Sequence, residues 1–537
     1  MKSILTALLS LFFYSTNGTA QIGSLDILFA EAGFVEKRLG EDSKFSRLFD
    51  LISLPSGGFV TLSNVEINGL LALQLSSFQE DGSIDTTFGE NGNYLIEFDN
   101  KNIQGTSMQL TKEGHIIVGG KISEPNKPDP LTSIFFTKHD AQGFLDANFG
   151  DKGRFITAET NTKGSSVSVV SMALQTDKKI VFGCPLDINT TVLSRLNSDG
   201  TVDESFGNKG VIDVRFSDAL NELRALAVQP NGNILLAGYV VNSSKETKRD
   251  FAILRTTPDG FVDTTFGTEG VTIIDFNQQH EEVEAIAIQS DGKIILGGQT
   301  NSGFKSDFAL VRLNVDGQID TTYGNQGKRI IPISESNSIV FQSTDILSSL
   351  IMQEDDKLVL VGGTTQVRGI HSDLVLVRVL ENGTLDNDFG TAGKYILDFG
   401  ELNGKGIAAF LQKEDKLMVG SQIWDSRFTF IGYNVSRHLL SLNVGTVNFS
   451  TNTNNVLLYP NPIKNTTTLE YTLEALEPIT VQLTDLQGKI LQTYLQNQPQ
   501  AAGDYQQAIE LPADLPRGMY FVRLSSPTGQ LMVKVIK

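Results

Sequence analysis

One short pattern recurs seven times along the chain and constrains its fold more than any other feature. Each copy has an Asp, an aromatic residue three positions later and a Gly seven positions after the Asp, as in Asp263, Phe266 and Gly270. Successive copies are 57 to 66 residues apart. Such a period is typical of repeat architectures, so we expect a stack of similar structural units.

We assign the Asp and Gly positions of this motif a structural role in a turn. The Asp positions are Asp26, Asp85, Asp146, Asp203, Asp263, Asp320 and Asp386. The Gly positions are Gly33, Gly92, Gly153, Gly210, Gly270, Gly327 and Gly393. The Asp is expected to accept hydrogen bonds from nearby backbone amides, and the aromatic residue to fill space between units. The alternative is a Ca²⁺ loop, but the residues between the Asp and the aromatic vary too much to supply regular ligands.

Each unit contains four short apolar segments separated by Gly-containing turns. In the fifth unit they predict strands at Val283–Ile288, Lys293–Gly297, Phe308–Leu313 and Lys328–Ile333. Four antiparallel strands per unit, repeated radially, are typical of a β-propeller. The first strands are rich in small residues and suit the crowded centre, whereas Pro332 suits an outer edge strand.

The two ends of the repeat region complement each other. The first motif precedes a strand at Gly33–Leu39 that has no inner strands before it, and the last repeat has three strands without a fourth. The N-terminal strand can therefore complete the last unit and remove the exposed sheet edges. We predict an all-β fold in which residues 21–443 form a seven-bladed β-propeller closed by its N- and C-terminal strands.

A different pattern follows the repeats. Residues 444–455 are polar and rich in Asn, which indicates a linker. Residues 456–537 contain six or seven short alternating segments, which predict a small Ig-like β-sandwich.

Residues 1–20 have the features of a secretory signal peptide. Lys2 is followed by the apolar run Ile4–Phe13 and by small residues that end at Ala20. The run is too short to span a bilayer comfortably, so we expect an exported protein that does not span a membrane. We also expect the protein to be monomeric. The net charge of −19 disfavours binding to nucleic acid.

Cys184 is the single cysteine and is expected to be a small buried residue.

The sequence contains no recognisable catalytic constellation or cofactor motif. The five His residues fall at unlike repeat positions, and Ca²⁺ binding by carboxylates is the single ion site left open. Arg255, Arg312 and Arg378 on the third strands are expected to form ion pairs with the motif Asp residues. Two distant carboxylates could still converge as in a glycosidase, which a sequence cannot reveal.

The loops between the second and third strands and the connections between repeats vary greatly, and both are expected on one face. The turns between strands one and two and between strands three and four are nearly uniform and are expected on the other face. Variable loops on a rigid scaffold are a usual place for binding. Trp424, His371 and Arg368 lie in such loops and are our candidates for a ligand-binding face, although packing under its loop is slightly favoured for Trp424.

The repeats resemble the bacterial delta-60 repeat. The segments that carry the resemblance are ALAVQPNGNILLAG and AIAIQSDGKIILGG with the downstream motif LDxxFGxxG, and the match covers roughly residues 23–440. The resemblance implies a propeller-like scaffold without a general activity.

The tail resembles the type A C-terminal sorting domain of the type IX secretion system. The matching segments are LYPNP at 458–462, DLQGK at 485–489, LPRGMYFV at 515–522 and VKVIK at 533–537. The sorting-domain residues singled out by these motifs are Pro460, Asn461, Pro462, Gly488, Lys489, Gly518, Tyr520 and Lys534. The resemblance implies recognition by the type IX machinery and a secreted or surface-attached product.

These features favour a non-catalytic binding or adhesion module for a glycan or a surface protein, exported through its C-terminal domain. The alternative is an extracellular hydrolase or lyase that acts on glycans. The two differ in whether carboxylates converge at the mouth of the central channel.

Overall fold

The computed structural model describes most of the repeat region and of the C-terminal region. The described residues are 22–26, 29–30, 33–38, 47–125, 132–158, 171–185, 191–217, 221–242, 248–276, 280–302, 305–333, 344–365, 372–400, 402–412, 416–427, 429–441, 457–459, 466–473, 476–484, 490–512, 515–516, 519–526 and 529–537. Internal contacts divide the chain into two compact units, Met1–Leu440 and Ser441–Lys537.

Several predictions fall on residues outside the described part of the chain. They are the signal peptide at residues 1–20, the linker at residues 444–455, and the candidate site residues Arg368, His371, Pro460, Asn461, Pro462, Gly488, Lys489 and Gly518.

The described residues of the first unit form β-strands and turns, with no α-helix among them. The unit begins with β1 (Phe34–Arg38), and six groups of four strands follow. The first three groups are β2 (Leu48–Ser53), β3 (Phe59–Ile67), β4 (Leu70–Phe78) and β5 (Asn93–Ile96); β6 (Asn102–Leu110), β7 (Ile116–Ser123), β8 (Thr132–His139) and β9 (Arg154–Ile156); and β10 (Ser171–Leu174), β11 (Ile180–Pro185), β12 (Thr191–Leu196) and β13 (Val211–Val214).

The next three groups and a final group of three strands complete the unit. The groups of four are β14 (Asn221–Val228), β15 (Ile234–Asn242), β16 (Lys248–Thr256) and β17 (Val271–Ile274); β18 (His280–Ile288), β19 (Ile294–Ser302), β20 (Lys305–Leu313) and β21 (Lys328–Ile331); and β22 (Thr344–Met352), β23 (Leu358–Thr365), β24 (Ser372–Val379) and β25 (Lys394–Leu397). The last three strands are β26 (Asn403–Leu411), β27 (Lys416–Trp424) and β28 (Phe430–Leu439).

Each group of four forms an antiparallel sheet whose strands pair in chain order, and we number these sheets 1 to 6. In sheet 7, β1 pairs with β28 from Phe34 opposite Ser436 to Arg38 opposite Gly432. The N-terminal strand therefore supplies the fourth strand of the last sheet, which is the pairing expected from the unmatched chain ends. Sheets 5 and 6 are also joined by one parallel pair of residues, Ser306 and Thr344.

Successive sheets pack against one another around a closed circle. The first strands of neighbouring sheets are in contact, and β26 of sheet 7 contacts β2 of sheet 1. A cluster of buried apolar side chains lies between each pair of neighbouring sheets. The cluster that closes the circle joins Phe59 and Phe78 of sheet 1 to Met418 and Val435 of sheet 7. The first strands therefore surround the centre, as in a β-propeller.

The repeated motif links each sheet to the next through the backbone. At Asp263, carboxylate Oδ1 accepts hydrogen bonds from the N–H of Thr265 at 3.1 Å and from its hydroxyl at 2.6 Å. This bonding holds the turn, so that Gly267 donates its N–H to the carbonyl of Asp316 in the next sheet at 2.7 Å. An equivalent bond between sheets follows each of the seven described motif copies, and the one from Ala30 to Asp81 joins sheet 7 to sheet 1 and closes the circle.

A buried Arg reinforces the same junction. Arg312 on β20 donates from Nε to Oδ2 of Asp320 at 2.9 Å and from Nη1 to the carbonyl of Glu381 in the next sheet at 2.6 Å. Its guanidinium group lies 4.6 Å from the centroid of the Tyr323 ring, a favourable cation–π distance. The same Arg–Asp–aromatic arrangement occurs at Arg195, Arg255, Arg378 and Arg437.

The ion pairs of Arg255, Arg312 and Arg378 are those that the sequence led us to expect. Arg195 and Arg437 were not predicted, because the residue five positions before each Arg in the sequence is Thr or Gly rather than Asp. The signal that would have identified them is the position of the Arg relative to the Asp of the repeated motif, rather than its spacing from an Asp upstream on the same strand.

The first motif copy offers a direct test of turn strain. Ala30 has a φ of 44° where the other six copies have Gly, and the left-handed region is costly for residues with a Cβ. We expect Ala30→Gly to raise the free energy of unfolding by about 0.5–1 kcal/mol in urea titrations. Gly267→Ala at the equivalent position should lower it, because the new Cβ would lie 2.3 Å from the carbonyl oxygen of Val271. A loss of stability in Ala30→Gly would contradict the assignment of backbone strain to Ala30 in this turn.

Some strand boundaries differ from the predictions. β18 begins three residues before the predicted Val283, because the polar residues at its start lack the apolar alternation on which the prediction relied. Pro332 lies beyond the end of β21, and its carbonyl accepts a hydrogen bond from Lys394 Nζ at 2.6 Å. Trp424 is the last residue of β27 rather than part of a loop.

The second unit contains seven strands among its described residues. They are β29 (Leu457–Tyr459), β30 (Thr466–Leu473), β31 (Glu477–Thr484), β32 (Ile490–Gln500), β33 (Gly503–Glu510), β34 (Met519–Ser526) and β35 (Gly529–Ile536). One sheet has the order β29–β30–β33 and the other β32–β31–β34–β35. Side chains from both sheets, including Leu469, Val481 and Val522, share one buried core. The unit is therefore two antiparallel sheets packed face to face.

Candidate binding site at the channel mouth

One position near the start of the first strand can be compared between six of the seven sheets. Leu223, Val283 and Leu347 are buried in the clusters between sheets. Because side chains alternate along a strand, the residues just before them point the other way. The described residues at this position, in order of the sheets, are Arg47, Gln104, Glu222, Glu282, Ile346 and Lys405. We call this set the mouth ring; the corresponding residue of sheet 3 lies outside the described residues.

A bulge places a second residue near the centre on these strands. The pairing register shifts after Leu223 in β14 and after Val283 in β18, which leaves Arg224 and Glu284 as the extra residues. Both side chains are half-buried. These positions lie near the start of the first strand. That part of the strand is on the face of the array that carries the variable loops. The motif turns lie at the opposite end.

Carboxylates gather on the side of the mouth formed by sheets 4 and 5. Glu222 accepts a hydrogen bond from the hydroxyl of Tyr239 and pairs with Arg224 at 3.1 Å. Glu282 pairs with Arg249. We call Glu222, Glu282 and Glu284 the acidic side of the mouth.

One amide connects two of these carboxylates. Gln299 Nε2 donates to Oε2 of Glu282 at 3.3 Å and to Oε1 of Glu284 at 3.2 Å. Burial raises the pKa of Glu284, although the charges of Arg224 and Lys405 oppose the shift. Burial and the bond to Glu222 raise the pKa of Tyr239. At neutral pH the Tyr239 hydroxyl is therefore a hydrogen-bond donor.

Basic side chains gather on the other side of the mouth. Arg47 and Lys405 occupy the mouth ring on the neighbouring sheets 1 and 7. Lys121 lies opposite Gln104 in the pairing of β6 with β7, so both side chains are on the same face. The stem of Lys405 lies over Gly363, where an added Cβ would be 2.9 Å from its Cγ. We call Arg47, Lys121 and Lys405 the basic side of the mouth.

The basic side lacks the ion pairs that balance the acidic side. Within the described part of the chain, no carboxylate lies within ion-pair distance of Arg47, Lys121 or Lys405. Burial lowers the pKa of Lys405; Glu284 counteracts the shift, and the charge of Arg47 adds to it. Burial also lowers the pKa of Lys121, again with Arg47 adding to the shift. The three groups thus bring positive charge together, with Lys121 and Lys405 half-buried and Arg47 exposed.

A second group of carboxyls lies between sheets 4 and 5, away from the ring. Oxygen atoms of Asp250, Asp275 and Glu281 all lie within 4.8 Å of one another. Glu281 is fully buried and accepts a hydrogen bond from the N–H of Phe276 at 3.2 Å. Carboxylate oxygens are ligands that Ca²⁺ prefers, so these residues are the ones that could hold the ion left open by the sequence. Ca²⁺ binding by them stays a prediction.

This group predicts a pH dependence of stability. Burial and the charges of Asp250 and Asp275 raise the pKa of Glu281 to about 8 from its ordinary 4.5. The folded protein therefore holds this proton more tightly than the unfolded chain does, and its contribution to stability is lost as the pH rises from about 5 through 8. In metal-free buffer, Glu281→Gln should be more stable than the parent at pH 9 by on the order of 2–4 kcal/mol.

Urea titrations at pH 5, 7 and 9 measure this effect. Glu269→Gln is the control, because Glu269 is exposed on a motif turn and the charge change is the same. A parallel pH profile for Glu281→Gln and the parent would refute the predicted shift.

The other described site residues that the sequence predicted lie outside the mouth ring. The seven motif Asp and Gly residues lie at the uniform end of the array, in turns that connect neighbouring sheets. Trp424 is half-buried on the variable end, with its ring edge-on to Phe430 at 6.4 Å. In the second unit, the Tyr520 hydroxyl donates to the carbonyl of Pro516 at 2.8 Å, and Lys534 lies on β35 opposite Phe521. Whether any of them contacts a partner stays a prediction.

Two described His residues and the single Cys occupy structural positions. His139 and His438 are buried with their rings bonded to the backbone carbonyls of Gly143 and Gly23. Burial lowers the pKa of each to about 4. Burial also raises the pKa of the Cys184 thiol to about 12, so the thiolate that a nucleophile requires is absent at neutral pH.

The sequence analysis missed the mouth ring. The signal was present, because the residue at this position of the repeat varies from Glu to Arg, Lys, Gln and Ile. The predicted first strands did not include this position, because they began after it.

Comparisons with known families identify both parts of the chain. Residues 457–537 match the secretion system C-terminal sorting domain. Residues 175–206, 229–266, 289–323 and 353–389 match a β-propeller domain of unknown function (DUF5122). The resemblances drawn from the sequence are thereby confirmed. The chain carries a type IX sorting domain, and the protein is secreted or displayed at the cell surface.

Solved structures with a similar arrangement are distant in sequence. A protein of unknown function from Dyadobacter fermentans is 11% identical, with a TM-score of 0.39 over 76% of this chain and 98% of its own. The NanB sialidase of Streptococcus pneumoniae is 11% identical, with a TM-score of 0.38 over 76% of this chain and 70% of its own. A polysaccharide lyase is 9% identical, with a TM-score of 0.39 over 80% of this chain and 94% of its own. No curated protein matched the sequence.

A search of the described residues for an apolar helix long enough to cross a membrane found none.

Proposed function

We propose that this protein is a non-catalytic binding module of the bacterial exterior, which takes its ligand at the mouth ring. The observation that carries the proposal is the variation of one structural position. The repeats agree in their turns, junctions and apolar layers, yet the residue at the mouth-ring position is charged in four of the six described copies. Charged side chains at a partly buried position weaken folding unless they have another use.

We also propose a number of blades for the repeat region and a fold class for the C-terminal domain. We assign the repeat region, residues 21–443, to a seven-bladed propeller in which each of sheets 1 to 7 is one blade. The closed circle of sheet contacts and the junction hydrogen bonds support this count. We assign residues 456–537 to an Ig-like sandwich joined by the linker at 444–455, on the basis of two sheets that share one core.

Binding is tested with the full chain on arrays of glycans and of extracellular surface proteins. We expect at least one class of ligand to be retained and the double variant Glu282→Gln, Lys405→Gln to lose it. The control is Glu269→Gln combined with Lys209→Gln, which makes the same charge changes at exposed motif-turn positions. Equal binding by both double variants would place the site elsewhere and refute the proposal.

A glycan-acting hydrolase or lyase is the second candidate, and one observation favours it. The acidic side brings Glu222, Glu282 and Glu284 together, and a raised pKa of the kind seen at Glu284 is a property of general acids. Against this, Glu222 and Glu282 are held in ion pairs and the Tyr239 hydroxyl is buried. Release of new reducing ends from a glycan, abolished by Glu284→Gln, would establish the enzyme and displace the binding module.

A further inference from the structure

The charges of the mouth are balanced on one side and unbalanced on the other. On the acidic side, Arg224 pairs with Glu222 and Arg249 pairs with Glu282. On the basic side, the described residues provide no such partner for the three cations. The chain as a whole has a net charge of −19, so a cluster of unpaired cations runs against its composition.

The position of these cations makes the imbalance costly. Lys121 and Lys405 are half-buried, and bringing them and Arg47 together requires desolvation and mutual repulsion. Glu284 offsets part of this cost at Lys405, whereas the charge that acts on Lys121 is the like charge of Arg47. Partly buried charge that is not fully offset destabilises a protein, so such groups normally pair with an anion. The repeat offers uncharged solutions at the same positions, since sheet 6 has Ile346 in the ring and Gly363 on the second strand. The cations are therefore not required by the propeller itself.

We propose that the basic side of the mouth ring binds the anionic group of an acidic saccharide, with its hydroxyl groups turned toward the acidic side. Arg47, Lys121 and Lys405 supply the charge that an anion needs, and a guanidinium group can bind a carboxylate or sulfate through two parallel hydrogen bonds. This inference rests on the proposed binding function and names the ligand class for that site.

The opposite side of the mouth selects the rest of the ligand. Glu222 and Glu282 present carboxylate oxygens that accept hydrogen bonds, and Gln104 adds an amide that both donates and accepts. Sugar hydroxyls satisfy such groups, whereas an apolar anion would leave them unpaired and lose affinity. A polyhydroxylated anion therefore fits both halves of the mouth at once.

The test uses the full chain and three trisaccharides of matched linkage. They are trigalacturonate, a neutral galactose trisaccharide and its sulfated form, with sodium sulfate as the simple anion. Calorimetry should show trigalacturonate or the sulfated trisaccharide binding at least about tenfold more tightly than the neutral one, since a hydrogen bond to a charged group is stronger than one between neutral groups. Affinity should fall as NaCl rises from about 50 to 500 mM, because salt screens the contact.

Matched variants locate the contact. Lys405→Gln and Lys121→Gln should each weaken binding of the acidic trisaccharide about tenfold or more. Lys209→Gln, on an exposed motif turn, should leave it unchanged. Circular dichroism confirms that each variant is folded, and using two separate variants guards against misfolding of one.

The outcomes separate this inference from the proposed function. Equal binding of neutral and acidic trisaccharides, or unchanged affinity in both Lys variants, overturns the anionic ligand but leaves a binding site at the mouth. Binding of sulfate alone as tightly as the saccharides overturns the role of the hydroxyl groups. Absence of binding to all four probes overturns the ligand class, and only a negative result on the glycan and protein arrays would also overturn the binding module.

Discussion

Removal of residues 456–537 is expected to leave the protein in the periplasm, with essentially no delivery to the cell surface or medium. The matched sorting domain spans residues 457–537, and its core is separate from that of the repeats. The truncated chain should therefore still fold its propeller while losing the signal that the type IX machinery recognises. Cell fractionation and protease accessibility on intact cells measure the result, and normal surface delivery would contradict it.

Point variants distinguish loss of the signal from loss of chain length. Val522 is fully buried between the two sheets of the sorting domain, so Val522→Asp places an unpaired charge in the core and should mimic the truncation. Ile490 is 47% exposed, and Ile490→Asp makes the same chemical change at the surface. It should be exported normally. Equal export of the two variants would mean that the machinery does not need the folded domain.

Replacement of Arg312 by Met should lower the free energy of unfolding of the propeller by about 3–5 kcal/mol, the usual cost of breaking a buried ion pair. Arg312 and Asp320 are each 6% exposed, and the change removes the bond to the carbonyl of Glu381 in the next sheet as well. Asp320 would keep Lys293 at 3.5 Å, which places the expected loss toward the lower end of that range. Urea denaturation followed by fluorescence and circular dichroism provides the measurement.

The chain contains its own control for this prediction. In sheet 2 the Arg position is occupied by Lys138, which pairs with Asp146 at 3.2 Å while the two side chains remain 19% and 21% exposed. Solvent screens that pair, so Lys138→Met should cost only about 0–1 kcal/mol. Similar losses in both variants would show that burial is not what gives the Arg312 junction its strength.

Much of the scaffold followed from the sequence because its determinants are local. The motif turn depends on an Asp that bonds two residues ahead and on Gly residues at positive φ, and both requirements are visible within ten residues. The pairing of β1 with β28 followed from an unmatched strand at each end. The bounds of the inner strands were missed, because their polar starts carry no apolar alternation.

The mouth ring shows the limit of such reasoning. Arg47 and Lys405 are near opposite ends of the repeat region, and either residue alone looks like an ordinary surface charge. Their proximity arises because β1 closes the circle and brings sheets 1 and 7 together.

The sequence by itself determined the repeat, the turn that joins neighbouring sheets, the closure of the array and the route of export. Each of these is indicated by short motifs or by the spacing between them, and the motif turn is held by hydrogen bonds within a few residues. Only the tertiary structure decided that Arg47, Lys121 and Lys405 share one side of the mouth while Glu222, Glu282 and Glu284 share the other. The reason is that a ring of sheets converts one equivalent position in each repeat into a set of neighbours.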